Sequence, residues 1–322
     1  LELFESFKPL EAVKIPDDIK KYDMNNKFLN DENSKERQFS EKIFNKYDTI
    51  IIKSTTGTGK TTAVSKFITS FLKNNKEQVE KNKKKNIEDN KKEEETEKRP
   101  TILYKFLSLV SLKTLAKQHL KNFNNINIKH YLDDKEYLNK DSDNLVICLN
   151  SLMMFNDYDG EYFKNYIVYI DEINSFLYSL THNKQLEPIL NFIINILFKI
   201  INNCHKIILS DAVINENVFN FVSGRTNKIY INNEYKKYEG VKCFFLNDEN
   251  EFQKQFLKNV DNNEYFFMGC DSAKIATTYS FLISDKPKIL ITANEPYNIY
   301  DATEQFKNNF VIASPSILTG ID

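Results

Sequence analysis

Compact runs of apolar and β-branched residues recur along this chain, and most are followed by a stretch with helical spacing. The run Thr49-Ile50-Ile51-Ile52-Lys53 ends in the turn-forming cluster Ser54-Thr55-Thr56-Gly57-Thr58-Gly59, after which Val64, Phe67, Ile68 and Phe71 fall on one helical face. Residues 101–107, 145–149, 166–170 and 206–209 read as further buried strands, with helices predicted over 112–123 and 185–203 and a short amphipathic one around Phe39, Ile43 and Phe44. This alternation predicts an α/β fold on a parallel sheet with right-handed crossovers. After Lys237 the pattern restarts, with strands predicted at 241–246, 264–268, 288–292 and 309–313 and helices at 250–259 and 272–283. The division expected is an N-terminal flank over 1–46, a main α/β domain over 47–237 and a partial second α/β unit over 238–322.

Residues 73–99 break the pattern. Only Val79 and Ile87 are aliphatic in that stretch, so it offers too little to bury against its ordering entropy. It reads either as a solvated extension of the preceding helix or as a disordered insertion, and its mixed charges make it filler rather than a nucleic-acid contact.

Length and composition narrow the class. At roughly 150 residues per domain, 322 residues suggest two domains. With 41% hydrophobic and 28% charged residues the chain is neither collagen, mucin stalk nor wholly disordered. A net charge of -1 gives no global basic field, so a polyanion would have to meet a local patch. Cys148, Cys204, Cys243 and Cys270 are widely spaced, without a CxxC, which favours a reduced intracellular compartment over a disulfide framework. The longest apolar stretch, 189–201, is interrupted by Asn191, Asn195 and Lys199 and is too short to span a bilayer. No secretory signal opens the chain, and its first residue is Leu, which reads as a piece of a longer protein.

The cluster Ser54-Thr55-Thr56-Gly57-Thr58-Gly59-Lys60-Thr61 follows a strand and opens a helix, the context a phosphate-binding loop requires. Ser54 replaces the usual first glycine. The small residues still let backbone N–H groups wrap a phosphate at a helix N-terminus. Lys60, expected to face solvent, can reach β- and γ-phosphates, and the Thr61 hydroxyl can join a Mg²⁺ shell. The plain alternative is a glycine-bearing helix cap. Such a loop needs a carboxylate at the end of another strand, and Asp171-Glu172 follows the run 166–170. Asp171 would bind Mg²⁺ largely through water, and Glu172 would be the general base. The alternative is an acidic helix cap.

Ser54–Thr62, Asp171-Glu172-Ile173-Asn174 and Ser314–Asp322 (SPSILTGID) resemble motifs I, II and V of the superfamily 2 helicases. Ser210-Asp211-Ala212 resembles motif III, which in that family couples hydrolysis to nucleic-acid binding. The segment Phe176–Thr181 and the SPS…TGID end are most similar to the origin-of-replication-binding helicases of herpesviruses and related large-virus or plasmid replication proteins. The resemblance covers most of residues 38–322. It implies a RecA-like P-loop NTPase domain, nucleotide-binding through 54–62, followed by a truncated second RecA-like domain. It implies ATP and Mg²⁺ as cofactors, hydrolysis through Lys60, Asp171 and Glu172, and movement on nucleic acid. Single-stranded or origin DNA is the expected partner, with replication proteins beside it and no membrane.

Further positions follow from the same resemblance. Gln38 lies near where such helicases place an adenine-reading glutamine; otherwise it is an exposed polar residue. Leu107–Lys113 resembles motif Ia, with Ser108, Ser111 and Lys113 as backbone-contacting donors or ordinary helix caps. Asn150 and Ser151 resemble a second such turn, and Phe266–Ser272 resembles motif IV. Thr319, Gly320 and Asp322 would approach nucleic acid and nucleotide. Motif VI, which carries arginine fingers, does not occur, and Arg37, Arg99 and Arg225 lack its context. The chain therefore reads as a fragment expected to turn ATP over slowly. His119, His130, His182 and His205 have no metal spacing and read as structural or surface residues. An RNA helicase or remodeller of the same superfamily, and a non-hydrolysing nucleotide-gated scaffold, are the competing readings. A scaffold would have no need of Glu172 as a base.

Overall fold

The computed structural model describes residues 13–27, 29, 41–91, 101–130, 144–236, 239–240, 246, 248–292, 294 and 302–314. The strand expected at 241–246, Gln38, Thr319, Gly320 and Asp322 lie largely or wholly outside them. The chain forms two compact units, 1–237 and 238–322.

In the first unit the strands are β1 (Ile19–Met24), β2 (Thr49–Lys53), β3 (Lys105–Val110), β4 (Lys129–His130), β5 (Leu145–Cys148), β6 (Tyr166–Asp171), β7 (Lys206–Asp211) and β8 (Lys228–Asn233). They make one sheet in the order β1-β8-β2-β7-β6-β3-β5-β4, and every described pairing in it is parallel. The helices are α1 (Glu41–Lys46), α2 (Lys60–Lys91), α3 (Lys113–Asn122), α4 (Ile173–His182), α5 (Leu190–Asn203) and α6 (Glu216–Phe221). The α/β parallel sheet expected from the sequence is therefore present.

Both faces of that sheet are covered, which is why its central strands are unbroken apolar runs. Ile51, Leu107, Leu109, Val168, Ile170, Ile207 and Leu209 pack with Phe176, Ile193, Ile196, Ile200 and Val218 from α4, α5 and α6. The alternate positions Ile50, Ile52, Phe106, Ile167, Tyr169 and Ile208 pack with Phe44 and with Ala63, Val64, Ile68 and Leu72 of α2. Residues 19–24, placed by polarity in a flank, are the sheet's edge strand, paired with β8.

The stretch 73–99 corrects one expectation. Residues 73–91 continue α2, as in the helix-extension reading and not as a disordered insertion, and residues 92–99 lie outside the described residues. Thirty-two helical residues run about 48 Å at 1.5 Å each. The extension is anchored: the Asn75 amide donates to Ile102 O at 3.0 Å and accepts from Tyr104 N at 2.9 Å, and Val79 is buried. Replacing 73–99 by a short Gly/Ser linker is therefore expected to lower the melting temperature by several degrees, since about 2 kcal/mol of packing and hydrogen bonding is lost. An unchanged thermal midpoint would restore the view of this segment as filler.

The second unit contains α7 (Glu249–Asp261), β9 (Phe267–Gly269), α8 (Ala273–Leu282), β10 (Lys288–Ile291), α9 (Ala302–Phe306) and β11 (Phe310–Ala313). Its strands form a parallel sheet in the order β10-β11-β9. Phe256, Val260, Ala276, Tyr279, Phe310 and Ile312 make its core. The motif IV resemblance falls where Ser272 caps α8, accepting from Ile275 N at 3.2 Å.

Candidate functional site

Because the strands of the large sheet are parallel, their C-terminal ends share one edge, where ligands of open α/β sheets bind. At that edge Lys53 of β2 stands opposite Asp211 of β7, and Ser210 of β7 stands opposite Asp171 of β6. Three segments distant in sequence are thus neighbours.

The loop 54–59 makes its turn with Gly57 and Gly59 both at φ +74°, a left-handed conformation that costs a side-chain-bearing residue energy. The α2 ladder begins with Ala63 N donating to Gly59 O at 2.8 Å. Lys60 is not solvent-facing as expected. It is buried, and its Nζ donates to Ser54 O at 3.0 Å. Ser54, in place of glycine, is also fully buried. Its Oγ lies 2.6 Å from Thr58 Oγ1 and accepts from Asn233 Nδ2 at 2.8 Å. Asn233 also clasps Asn26, accepting from its N–H at 3.0 Å and donating to its carbonyl at 2.9 Å. Thr55 is half-buried, its Oγ1 donating to Tyr235 O at 3.1 Å, whereas Thr56 and Thr62 are exposed.

Asp171 is the electrostatic centre. Thr61 Oγ1 donates to its Oδ2 at 2.7 Å, while Ser210 Oγ at 2.5 Å and Glu172 N at 3.1 Å donate to Oδ1. Burial alone would raise the Asp171 carboxyl, but His119, Ser210 and Thr61 outweigh it and hold the group well below the ordinary carboxylate range. It is therefore an anion at neutral pH. Burial pushes the neighbouring Tyr169 phenol up, and its OH lies 2.9 Å from Ser210 Oγ. A buried anionic carboxylate against a hydroxyl at a helix N-terminus is a hard-oxygen set that suits Mg²⁺, so Thr61 and Asp171 fit the ion. Among the described residues no cluster of three or more His, Cys, Asp or Glu is arranged to hold a metal by itself. A cation here would take most of its ligands from water and nucleotide.

Glu172 precedes α4 but does not cap it with its side chain. Its backbone is left-handed, φ 51° and ψ 52°, a strained state for glutamate of the kind that gathers at functional sites. The capping work falls to Asp211, whose Oδ2 accepts from Asn174 N at 2.8 Å and whose Oδ1 accepts from Ala212 N at 2.7 Å. Ser54 N donates to Asp211 O at 3.0 Å. Ser210, Asp211 and Ala212 thus join the loop, the carboxylate and α4.

The remaining positions divide. Ser111 is half-buried and Lys113 exposed at the start of α3; Asn150 is exposed and Ser151 half-buried after β5. As β3 and β5 are adjacent, these form a second group on the same edge. Ser108 corrects its expected role. It is fully buried and its Oγ sits 2.6 Å from His119 Nδ1, so it cannot meet a strand from there. His119, read from sequence as structural or surface, lies in this site, its Nε2 3.6 Å from Asp171 Oδ2. Arg225 is at the opposite edge, binding Thr49 Oγ1 at 2.9 Å and Ile201 O at 2.6 Å. Among the described residues no helix is long and apolar enough to cross a membrane.

A family model described as "Type III restriction enzyme, res subunit" matches residues 25–222, more than half of the chain. A protein of Acanthamoeba polyphaga mimivirus named "Putative replication origin-binding protein" is 26% identical over 300 residues, 86% of this chain and 32% of that protein. The chain spans about a third of that relative's length. The structure of Mss116p bound to ssRNA and AMP-PNP aligns with a TM-score of 0.55 at 17% identity, over 88% of this chain and 60% of that one. S. cerevisiae Dbp5 bound to Gle1 and IP6 aligns at 0.52 with 13% identity, over 84% and 65%. At such identities the likeness is one of fold, that of RecA-like helicase domains. Since the matched region takes in the loop, the acidic pair and the segment Ser210–Ala212 alike, the chain belongs to the family described as the Type III restriction enzyme res subunit, within the superfamily 2 helicases.

Proposed function

We propose that this chain is the ATP-hydrolysing motor portion of a DNA helicase or translocase that acts in replication, of the origin-binding type. The observation that carries the reading is the contact between Thr61 and Asp171. It joins the loop to a strand end 110 residues away at 2.7 Å, with Glu172 as the next residue. Backbone N–H groups of 55–60 would bind the nucleotide phosphates at the N-terminus of α2. Lys60 would exchange the Ser54 carbonyl for phosphate oxygens. Thr61 and Asp171 would hold Mg²⁺, which when bound offsets charge on the β- and γ-phosphates. A Glu172 carboxylate oxygen would accept the proton of the attacking water as the bond between the γ-phosphorus and its bridging oxygen breaks. Ser210, bonded to Asp171, would report the state of that carboxylate to the segment 210–212.

Ser111, Lys113, Asn150 and Ser151 are the residues we assign to a nucleic-acid backbone, where contacts are mostly to phosphate and salt-dependent. The mimivirus relative's name favours DNA, whereas Mss116p bound to ssRNA supports RNA as the second reading. Phosphate release by the intact enzyme, alone and with single-stranded DNA or RNA, separates them. Stimulation by DNA above RNA is the expected result. Greater stimulation by RNA would move the assignment to an RNA helicase, and binding of ATP without any turnover to a nucleotide-gated scaffold.

A further inference from the structure

His119 has no place in the chemistry above, yet it is among the most enclosed side chains of the protein. It is 0% exposed. Its ring stacks on Tyr169, centroids 5.5 Å apart and planes 12° apart. Nδ1 lies 2.6 Å from Ser108 Oγ. Nε2 has no hydrogen-bond partner and is aimed at Asp171, 3.6 Å from Oδ2.

The protonation pattern of the ring follows from these neighbours. A bare Nε2 would set its lone pair against the Asp171 anion. With the proton on Nε2, Nδ1 accepts from the Ser108 hydroxyl and Nε2–H faces the carboxylate. If both nitrogens carry protons, Nε2–H faces it still. The distance is longer than a direct hydrogen bond, but it is short for charge attraction in a buried site. Asp171 then has a polar hydrogen on every side: Thr61 and His119 about Oδ2, Ser210 and the Glu172 N–H about Oδ1. Groups behind a metal-binding carboxylate fix its plane and basicity, and removing one typically costs about 10–100-fold in metal affinity or activity.

We propose that His119 is a positioning residue that aligns Asp171 for Mg²⁺. Because α3 carries it about two helical turns from Lys113, it ties that alignment to the segment Ser111–Lys113. The inference rests on the reading that Thr61 and Asp171 hold the ion. It also accounts for Ser108, a hydroxyl among the buried apolar residues of β3, since that hydroxyl can donate to Nδ1 and leave the ring proton on Nε2.

The test is equilibrium binding of a fluorescent ATP analogue to the full 322-residue chain, titrated with Mg²⁺ and repeated in EDTA. His119→Phe keeps the stack on Tyr169 but loses the N–H. It is expected to need about 10–100-fold more Mg²⁺ for half-maximal binding, with binding in EDTA and melting temperature close to the parent. His119→Gln, whose amide can replace Nε2–H, is expected to recover most of the shift. An unshifted Mg²⁺ requirement in a folded Phe variant, or a Gln variant as impaired as Phe, would overturn the proposal. Should the Phe variant not fold, Ser108→Ala, which removes the hydrogen bond to Nδ1 that orients the ring, is expected to raise the Mg²⁺ requirement several-fold; no rise there would overturn it too. Failure of the underlying reading has a different signature, because the parent chain would then show no Mg²⁺-dependent nucleotide binding at all.

Discussion

Glu172→Gln is expected to slow ATP turnover by roughly 100-fold or more while ATP·Mg²⁺ binding stays nearly intact. The substitution keeps size, polarity and hydrogen-bonding reach and removes only the capacity to take a proton. It also keeps the backbone preference. The left-handed strain at φ 51° is much the same for Gln as for Glu, so stability should barely move and the rate change isolates the base. An Ala or Gly variant would mix lost chemistry with altered strain. Single-turnover hydrolysis beside a binding isotherm gives both quantities. If the intact enzyme turns over equally fast with Gln, Glu172 is only part of the turn into α4.

Lys60→Ala is expected to weaken ATP binding by about 1.5–3 kcal/mol, the worth of a charge-assisted contact to phosphate, or roughly 10- to 150-fold in Kd. The buried position of Lys60 adds a cost that a solvent-facing lysine would not carry. Its Nζ satisfies the Ser54 carbonyl at 3.0 Å, and alanine leaves that acceptor dry, costing about 1 kcal/mol of folding free energy. A small fall in melting temperature should therefore accompany the large loss of affinity. A folded variant that binds ATP as the parent does would remove the phosphate-loop assignment.

Four central strands were legible because a parallel strand covered on both faces reads as an unbroken apolar run, as at 49–53, 145–148, 166–171 and 206–211. β8 (KIYINN) does not read as a strand although all six of its residues are buried. Its polar residues take partners far away in sequence: Lys228 pairs with Asp18 at 2.6 Å, Asn232 donates to Asp23 at 2.8 Å, and Asn233 donates to Asn26 and Ser54. Composition alone cannot show such pairing. β1 hid for the related reason that an edge strand buries only part of its surface. In the site, the spacing from Gly57 to Thr61 and the pair Asp171-Glu172 carry their chemistry locally. His119 does not, since its meaning comes from β6 packing beside α3. Ser108 misled because a serine near a strand's end looks exposed until the covering helices are placed.

The serine at the head of the phosphate loop has a consequence for how this loop tolerates exchange. Ser54, Thr58 and Asn233 hold one another in an interior where none can reach water. A glycine at position 54, as in the common pattern, would remove one hydrogen bond from the Asn233 amide and one from the Thr58 hydroxyl rather than relax the turn. Substitutions at 54 and 233 should thus be strongly non-additive, each harmful alone and milder together. Asn233 also binds Asn26 through both ends of its amide, so the same lock makes Asn26 and the end of β8 parts of one structural unit with the loop. A chain divided between them would carry half of a phosphate site.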